Sequence, residues 1–399
     1  MGKTESKKFQ LIAKTSFGFE EILAGELKAL GATSIEQTTR AVLFEGDQKL
    51  MYEANLHSRV ALRILKSVGS FPCEDEQGLY DGIRTIDWSQ FLDPEDTMAV
   101  DAVVNQSNLT HSLYIAQKAK DGIVDQFRNR SGRRPNVDLS KPSVRVHIHL
   151  VKNIASISLD SSGESLHRRG YRKMQGEAPL NETLAAGMIM LSGWDTQSPL
   201  LDVMCGSGTI LIEAALIARR VPPGIFRQEF GFERWKDFDD ALWNSIIDEA
   251  KEKVLDKPGF RITGIDKSAQ IIRDAKENAS LARLGGNIDF HTMSFEDYTP
   301  DVKSGIIITN PPYGGRISSA DLFQLYKNLG DQMKKKYSGW TAWVLTANKE
   351  AAKYIGLKPS RKIPLFNGSL ECRFLKYDLY KGTKRVKSET SDGEEDDIE

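Results

Sequence analysis

Cysteine is scarce in this sequence, and long apolar stretches are missing. The three cysteines, Cys73, Cys205 and Cys372, are widely separated and show no paired spacing. This argues against a disulfide framework or a zinc site and is typical of a reducing compartment, so we expect a cytoplasmic protein. No apolar run approaches the roughly 20 residues that cross a bilayer. The polar start, Met1 to Lys8, lacks the apolar core of a secretory signal, so the sequence predicts no membrane partner.

Histidine is also scarce, and basic residues do not dominate the chain. His147 and His149 share one face of a predicted strand, but none of the six histidines has metal-site spacing, so we predict no metal. The formal net charge of −1 hides an asymmetry, because residues 388–399 hold seven acids and no lysine or arginine. The rest of the chain carries a formal charge of +6, which is compatible with a polyanionic partner. We expect the tail, residues 384–399, to be disordered and to serve solubility.

The first of three predicted domains covers residues 8–56. It contains a strand-like run, Phe9–Ala13, a helical stretch, Phe19–Leu30, and a second strand, Ala41–Phe44. We interpret it as a small α/β unit packed in two layers.

The second domain, residues 57–166, is richer in β runs. Its pattern predicts an opening helix through Ala54–Leu65 and a further helix at Ser112–Arg130. Strands are predicted at Thr97–Val104, Val144–Val151 and Ile154–Leu159. The pair Lys152-Asn153 between the last two strands predicts a hairpin turn.

The third domain, residues 167–383, alternates buried-looking β runs with helices. The β runs are Leu200–Val203, Ile262–Ile265, Gly305–Ile308 and Thr341–Leu345, and the helices are Ile210–Arg220, Ala269–Leu284 and Leu322–Lys336. This alternation predicts an α/β fold with a parallel sheet covered on both faces. We expect the alternating stretch Glu371–Tyr380 to close the sheet in an antiparallel edge pair.

A glycine turn follows the first of these strands. Gly206 and Gly208 lie between the strand and a helix, and without Cβ atoms they let the backbone approach a ligand closely. Open α/β sheets bind small molecules at this carboxyl end of a parallel strand. The turn lacks the third glycine of the dinucleotide fingerprint and the lysine of a phosphate-binding loop. Taken alone, it is equally compatible with a simple tight turn.

An acid ends the next strand. Asp266 would lie beside the glycine turn in a doubly wound sheet, where its carboxylate can accept both hydroxyl protons of a ribose. The gap from Gly208 is far longer than the roughly 20 residues found in dehydrogenases. The alternative is that Asp266 only caps the helix that begins near Ser268.

The strongest signal is Asn310-Pro311-Pro312-Tyr313, directly after a predicted strand. A double proline cannot continue a central strand, so the chain must leave the sheet at its carboxyl edge. The Asn310 amide oxygen and the Pro311 carbonyl can both accept hydrogen bonds from a planar amino group, and Tyr313 offers a face on which a base stacks. Two such acceptors favour a pyramidal nitrogen with its lone pair aimed at the reacting centre. Alignment and charge stabilisation then supply most of the rate enhancement.

On these motifs the third domain resembles class I S-adenosylmethionine-dependent methyltransferases that act on exocyclic or amide nitrogen. The resemblance covers roughly Tyr171–Tyr380 and implies S-adenosylmethionine as the cofactor. It implies that Asp202–Thr209 holds the methionine part, that Asp266 holds the ribose and that Asn310–Tyr313 catalyses. The cofactor-binding residues implied are Asp202, Cys205, Gly206, Ser207, Gly208, Thr209, Asp266, Phe295 and Asn310, and the catalytic residues are Asn310, Pro311, Pro312 and Tyr313.

Two further elements belong to the same resemblance. The stretch Ala178–Ala186 is similar to the family's helix that covers the cofactor. The third strand of the family ends in an acid, whereas Ser294 stands there in this chain. The adenine is therefore expected to meet Phe295, Glu296 or Asp297.

The front half resembles an RNA-binding module. Gly132–Leu139, Leu159–Gly163 and His167–Arg172 are similar to the THUMP domain and its junction with such an enzyme, which makes residues 8–56 the ferredoxin-like domain that precedes THUMP. The whole is similar to the bacterial 23S ribosomal RNA guanine-N2 methyltransferases, and this implies structured RNA as the partner. The expected RNA-binding residues are Arg128, Arg130, Arg133, Arg134, Arg168, Arg169 and Arg172.

Other features are given structural interpretations. Cys205 is expected to be a small packed residue rather than a nucleophile, because nothing nearby in sequence would lower the pKa of its thiol. The run Lys334–Lys336 is interpreted as a solvated helix end. The aromatic residues between Phe226 and Trp243 are interpreted as a local hydrophobic cluster.

Four alternatives stay open beside 23S ribosomal RNA. They are a transfer RNA guanine-N2 methyltransferase, a DNA adenine methyltransferase, a protein glutamine methyltransferase and a non-catalytic RNA-binding or assembly protein. The β-rich, RNA-module-like front half disfavours the DNA and protein substrates. The presence of both Asn310 and Asp266 disfavours a non-catalytic protein.

Overall fold

The computed structural model describes residues 7–172, 180–257, 259–314 and 318–380. These residues form two β-sheets with helices packed on them, one sheet of eight strands in the front half and one of seven behind it. The predicted features at Ala178, Pro179 and the acidic tail lie outside the described residues.

The front sheet passes through both front domains without a break. Its strands are β1 (Phe9–Thr15), β2 (Thr33–Thr38), β3 (Ala41–Gly46), β4 (Ala61–Pro72), β5 (Thr97–Asn105), β6 (Asn136–Val137), β7 (Val144–Val151) and β8 (Ile154–Asp160), in the order β2-β3-β1-β4-β8-β7-β5-β6. Its helices are α1 (Glu20–Ala29), α2 (Gln48–His57), α3 (Glu76–Thr85) and α4 (Ser112–Ser131). Because β4 pairs with β1 on one side and β8 on the other, it joins the two domains into one sheet.

Strand β4 corrects the predicted helix Ala54–Leu65. The helix ends at His57, because Ser58 turns to an extended conformation and its hydroxyl accepts the Ala61 N–H at 3.0 Å. The apolar residues from Val60 to Leu65 are spaced for either a helix or a strand, so the sequence alone favoured the wrong element. Strand pairing on both sides, which is a tertiary effect, decides the outcome.

The predicted hairpin turn is confirmed. Lys152 and Asn153 have φ values of 49° and 60°, and they connect the antiparallel strands β7 and β8. Two successive residues with positive φ give the turn whose twist matches that of the flanking strands.

The rear sheet is mainly parallel. Its strands are β9 (Leu200–Asp202), β10 (Ile262–Asp266), β11 (Asp289–Thr292), β12 (Ile306–Thr309), β13 (Thr341–Thr346), β14 (Arg361–Asn367) and β15 (Leu370–Asp378), in the order β11-β10-β9-β12-β13-β15-β14. Its helices are α5 (Glu182–Leu191), α6 (Thr209–Ala218), α7 (Asp240–Glu252), α8 (Ala269–Leu281), α9 (Ser319–Lys336) and α10 (Lys349–Lys353). Strand β15 runs antiparallel to both of its neighbours, β13 and β14, and the antiparallel pair of β14 and β15 forms one edge of the sheet, as predicted.

The strand order reverses between β9 and β12. From β9 the chain adds β10 and β11 on one side, and then returns to add β12 and β13 on the other. A crevice opens at the carboxyl ends of the strands where such an order reverses, and ligands bind there in open α/β sheets. The glycine turn follows β9 and the Asn310 segment follows β12, so both predicted motifs lie at this point.

Aromatic residues between α6 and β10 join the two halves of the protein. Phe232 stacks on Tyr52 of α2 with ring centroids 4.2 Å apart, and Trp243 meets Phe232 edge-on at 5.1 Å. All three rings are buried. The predicted hydrophobic cluster is therefore confirmed, and it forms part of the contact between the sheets.

Within the described ranges, no helix has the length and apolar character needed to cross a bilayer. The same residues contain no group of three or more histidine, cysteine, aspartate or glutamate side chains arranged to hold a metal ion.

Candidate active site

The two glycines of the turn after β9 have different surroundings: open space lies beside Gly206, whereas Gly208 packs against α8. Gly206 has φ +52°, and a Cβ added there would meet no atom within 4 Å. Gly208 has φ +82°, and its Cβ would lie 3.3 Å from the Ala275 methyl group. Open space beside Gly206 is what close approach of a ligand to the backbone requires, whereas Gly208 serves the turn and the packing of α8.

Asp266 at the end of β10 connects the second strand to the glycine turn. Its carboxylate accepts the Gly206 N–H at 3.3 Å and the Ser268 N–H at 2.9 Å. The cap of α8 is Ser268 itself, whose hydroxyl accepts the Ile271 N–H. Asp266 therefore does more than cap a helix, because it also binds the backbone of the glycine turn after β9.

Asp202 is a buried carboxyl group between β9 and β12. Its Oδ1 accepts the Thr309 hydroxyl at 2.7 Å and the Met204 N–H at 3.2 Å. Burial raises the pKa of Asp202 from 3.8 to about 7, because the charged form loses its hydration, and the two hydrogen bonds offset this only partly. Thr309, which precedes the Asn310 segment, is a partner that the sequence interpretation did not include.

Three other residues hold the turn in place. Cys205 is buried, and burial raises the pKa of its thiol well above the ordinary value, which agrees with a packed and unreactive residue. The Asn278 amide donates to the Ser207 carbonyl at 3.3 Å, and the Arg172 guanidinium donates to the Thr209 hydroxyl. No sequence motif pointed to Asn278, because it lies 71 residues beyond Ser207.

The Asn310 segment carries an unpaired buried acceptor. Asn310 Oδ1 is buried and has no hydrogen-bond partner among the residues that the structure describes. Such an atom is costly unless a water molecule or a ligand binds it, and it is one of several unpaired buried side-chain atoms in the described residues. The atom lies at the carboxyl end of β12, beside the glycine turn in the strand order.

Tyr313 is held from two sides. Its hydroxyl accepts the Asn367 amide N–H at 3.0 Å, and its carbonyl accepts from the Asn348 amide at 3.5 Å. Burial raises the pKa of Tyr313 above 10.0, so the hydroxyl is neutral at physiological pH. Pro311 is buried and Pro312 is exposed, so the proline pair leads the chain from the sheet to the surface.

The segment expected to meet the adenine is partly occupied by other contacts. Phe295 is buried with Ile265 and Ile307 in the core of the rear sheet. Glu296 is bound by the Ser294 hydroxyl and by the Asn328 amide at 3.3 Å. The Lys336 ammonium, expected to be solvated, instead donates to the carbonyls of Glu296 and Tyr298 and fixes this loop.

The predicted RNA-binding arginines divide into surface and interior residues. Those at the end of α4 and in the following loop are exposed; Arg128 pairs with Asp125 at 3.3 Å, and Arg130 pairs with Asp87 at 2.7 Å. The exposed set is Arg128, Arg130, Arg133, Arg134 and Arg168.

Arg169 and Arg172 are interior residues. Arg169 is 2% exposed, donates to the Leu166 carbonyl and lies 3.5 Å from the Glu213 carboxylate. This burial corrects the prediction of an RNA contact for Arg169, because its guanidinium is already used between the two halves of the protein. Arg172 lies 3.5 Å from Glu182 and donates to the Leu180 carbonyl and the Thr209 hydroxyl, so its contacts are with the start of α5 and the start of α6.

A basic cleft of about 1120 Å³ separates the front sheet from the rear domain. Cations outnumber acids along its walls, and His167 is neutral because burial and neighbouring arginines lower its pKa to about 4. The cleft reaches Arg172, whose guanidinium donates to the hydroxyl of Thr209, the first residue of α6. Its cationic lining is Arg63, Lys141, Arg145, Arg168, Arg169, Arg172, Arg227 and Arg234, and its acidic lining is Asp160, Glu164, Glu182 and Glu229.

Comparison with known proteins defines the class that this fold and site belong to. Residues 169–376 match the RMKL-like methyltransferase domain, residues 73–160 match the THUMP domain, and residues 10–65 match the RlmL ferredoxin-like domain. The predicted fold class, an α/β methyltransferase sheet preceded by ferredoxin-like and THUMP domains, is thus confirmed. The protein is a methyltransferase with a THUMP domain.

Individual relatives narrow the class to a family. The chain is 41% identical to slr0064 of Synechocystis sp., which is named provisionally as an RNA methyltransferase. The match extends over 369 residues and covers 92% of this chain and 96% of the relative. It is 39% identical to the ribosomal RNA large subunit methyltransferase K/L of Syntrophotalea carbinolica, covering 91% of this chain and 52% of that protein. The chain belongs to the RMKL-like methyltransferase family. It spans about half the length of the K/L relatives that it matches.

Solved structures agree with the fold. SMU.472, described as a methyltransferase and solved with S-adenosylhomocysteine, has a TM-score of 0.86 and 30% identity, over 95% of this chain and all of that one. A Listeria monocytogenes protein described as an N6-adenine-specific DNA methylase matches with a TM-score of 0.86 and 31% identity, over 94% of this chain and 97% of its own. The family and the first of these structures confirm S-adenosylmethionine as the cofactor.

Proposed function

We propose that this chain transfers the methyl group of S-adenosylmethionine to the exocyclic amino group, N2, of a guanine in structured RNA, with ribosomal RNA ahead of transfer RNA. The observation that carries the proposal is the unpaired, buried Asn310 Oδ1 at the carboxyl end of β12. It is an acceptor that lacks a donor, and an exocyclic amine is a donor of the right kind.

The residues present fit the cofactor. The open backbone at Gly206 admits a ligand, and the Asp266 carboxylate beside it can accept ribose hydroxyls. Asp202, buried with a raised pKa, is a carboxyl group that a positively charged amino group would ionise. We propose that Asp202, Gly206 and Asp266 hold S-adenosylmethionine, with Ser207, Thr209 and Phe295 contributing to the walls of the site.

The chain's own part in the reaction is to orient the amine. S-adenosylmethionine supplies, when bound, a sulfonium methyl group that an uncharged nucleophile can accept. Asn310 Oδ1 and the Pro311 carbonyl accept hydrogen bonds from the two amino hydrogens, which localises the nitrogen lone pair and directs it at the methyl group. The Tyr313 ring, fixed through its hydroxyl by Asn367, provides the face on which the base stacks. A base inside a duplex cannot reach this position, so the target must be single-stranded or flipped out.

The cleft supports RNA as the substrate class. Apart from the buried Arg169, its cations form a path for phosphates from the front sheet towards the start of α6, and the exposed arginines of α4 are further candidates for phosphate contact. The names of the K/L relatives and of slr0064 point to ribosomal and other RNA. This proposal covers the segment that the chain shares with the K/L proteins, which is about half of their length.

The experiment that tests the proposal uses RNA from cells that lack this protein. Purified protein and S-adenosylmethionine with a labelled methyl group are added, and the RNA is digested for mass spectrometry of its nucleosides. We expect labelled N2-methylguanosine from ribosomal RNA, at about one per RNA molecule. Labelling of duplex DNA or of a protein glutamine, with none in RNA, would contradict the proposal and support one of its alternatives.

A further inference from the structure

A loop of the ferredoxin-like domain lies against the hairpin of β14 and β15. The Phe17 ring meets the Phe366 ring edge-on with centroids 5.9 Å apart. The Arg40 guanidinium lies over Phe366, 5.7 Å from the ring centroid. Gly18 lies so close to β14 that an added Cβ would be 3.3 Å from the Pro364 carbonyl oxygen. Two loops of the front domain therefore converge on one residue of the rear domain.

A single carboxylate fixes both loops. Glu20 accepts the Gly18 N–H at 2.7 Å through one oxygen and the Arg40 N–H at 2.9 Å through the other. Arg40 has φ +61°, a conformation that side-chain-bearing residues rarely adopt, and the Thr15 N–H donates to its carbonyl at 2.9 Å. The positions of Phe17 and Arg40 are therefore set before any ligand arrives, which lowers the entropic cost of binding one.

This cluster is one residue along β14 from a contact with the catalytic segment. Phe366 precedes Asn367, and the Asn367 amide donates to the Tyr313 hydroxyl at 3.0 Å. The cluster nevertheless remains open to solvent, because Phe17 is 39% exposed and Arg40 is exposed as well. An exposed aromatic ring beside a guanidinium has the two groups that bind a nucleotide, a face for the base and a charge for its phosphate.

We propose that Phe17, Arg40 and Phe366 form a binding site for a nucleotide that flanks the target base in the RNA. The proposal rests on the proposed function. When the target base leaves its stack, the neighbouring base loses a stacking partner. An aromatic ring of this site takes the place of that partner. The front domain would then contact the RNA strand that carries the target base, close to Tyr313, and would not only bind RNA far from the active site.

The first test compares Phe17→Leu with Tyr114→Leu in the full chain. Tyr114 is a matched control, because it is a similarly exposed aromatic residue of the front half and lies on α4. For Phe17→Leu we expect KM for RNA to rise by roughly 5- to 150-fold, the range given by loss of one stacked base. We expect kcat, affinity for S-adenosylhomocysteine and melting temperature to stay unchanged, and the control to retain the KM of the wild type.

The second test removes the flanking base instead of the side chain. RNA fragments with an abasic site immediately 5′ or 3′ of the methylated guanine are compared with the intact fragment. With the wild-type protein, one of the two abasic fragments should raise KM as much as Phe17→Leu does with the intact fragment. With that abasic fragment, Phe17→Leu should raise KM no further. Arg40→Gln should flatten the dependence of binding on salt by about 0.7 in log–log slope, one single-strand phosphate contact.

Three results would overturn the proposal. An unchanged KM for Phe17→Leu would reduce the cluster to a contact between domains, and so would a parallel loss of melting temperature and cofactor affinity. Additive effects of the abasic site and the substitution would place the flanking base elsewhere. If the wild type transfers no methyl group to RNA but does so to DNA or protein, it is the proposed function that fails.

Discussion

Replacing Asp202 by Asn tests the electrostatics of the site without changing its shape. The folded protein holds the pKa of Asp202 at about 7, against an ordinary value of 3.8. The difference is about 3 pH units, and at 1.36 kcal/mol per unit it corresponds to a cost of roughly 4 kcal/mol when the folded carboxyl group ionises. Asparagine keeps an acceptor for Thr309 and removes the charge.

The sign of the pH dependence follows from the raised pKa. Below about pH 4 the carboxyl group is protonated in both the folded and the unfolded chain, and no stability is lost. Between pH 4 and 7 only the unfolded chain ionises, so stability falls as pH rises, and above pH 7 the full loss is present. Asp202→Asn should therefore resemble the wild type near pH 4 and be more stable by up to roughly 4 kcal/mol at pH 8.

Urea unfolding of the cofactor-free protein at pH 5 and pH 8 measures this difference. Asp195→Asn is the control, because Asp195 is exposed and backbone hydrogen bonds lower its pKa, so no gain is expected at pH 8. Cofactor binding should change in the opposite direction, because the amino group of S-adenosylhomocysteine loses a charged partner in Asp202→Asn. Equal free energies of unfolding for wild type and Asp202→Asn at both pH values would refute the reasoning.

Two further predictions concern the cofactor and the RNA. Asp266→Ala should weaken S-adenosylhomocysteine binding at least 10-fold in calorimetric titration, because a charged acceptor contributes roughly 1.5–3 kcal/mol per hydrogen bond. Unchanged affinity would mean that Asp266 only supports the turn at Gly206. Replacing Arg128 and Arg130 by Gln should flatten the plot of log binding constant against log salt by roughly 0.7–0.9 per lost phosphate contact. An unchanged slope for that pair, with a reduced slope for Lys141→Gln and Arg168→Gln, would move the RNA contacts from α4 into the cleft.

Features determined by neighbouring residues were predictable from the sequence. The strand and turn around Gly206, the acid at the end of β10 and the double proline after Asn310 each combine a local conformational constraint with a position in a strand–helix pattern. The carboxyl ends of parallel strands meet at one edge, so these local patterns were enough to bring the motifs together. The hairpin at Lys152-Asn153 depends on two residues alone.

Features determined by distant residues were not predictable. Strand β4 has the spacing of a helix, and only its pairing with β1 and β8 makes it a strand. An arginine in a basic stretch resembles a phosphate ligand until its partner is known, and the carboxylate of Glu213 lies 44 positions beyond Arg169. The contact between Asn367 and Tyr313 spans 54 residues and has no signature in either segment.

The central claim is that Asn310 accepts a hydrogen bond from the target amine and not from the cofactor. Asn310→Ala is therefore measured twice, by transfer of labelled methyl groups to RNA at saturating substrate and by calorimetric titration with S-adenosylhomocysteine. Asn244→Ala is the control, because Asn244 is an exposed residue of α7. Loss of one such acceptor should lower kcat by roughly 10²–10³-fold and leave the cofactor affinity unchanged. Turnover equal to that of the wild type would contradict the account, and so would a loss of cofactor affinity as large as the loss of turnover.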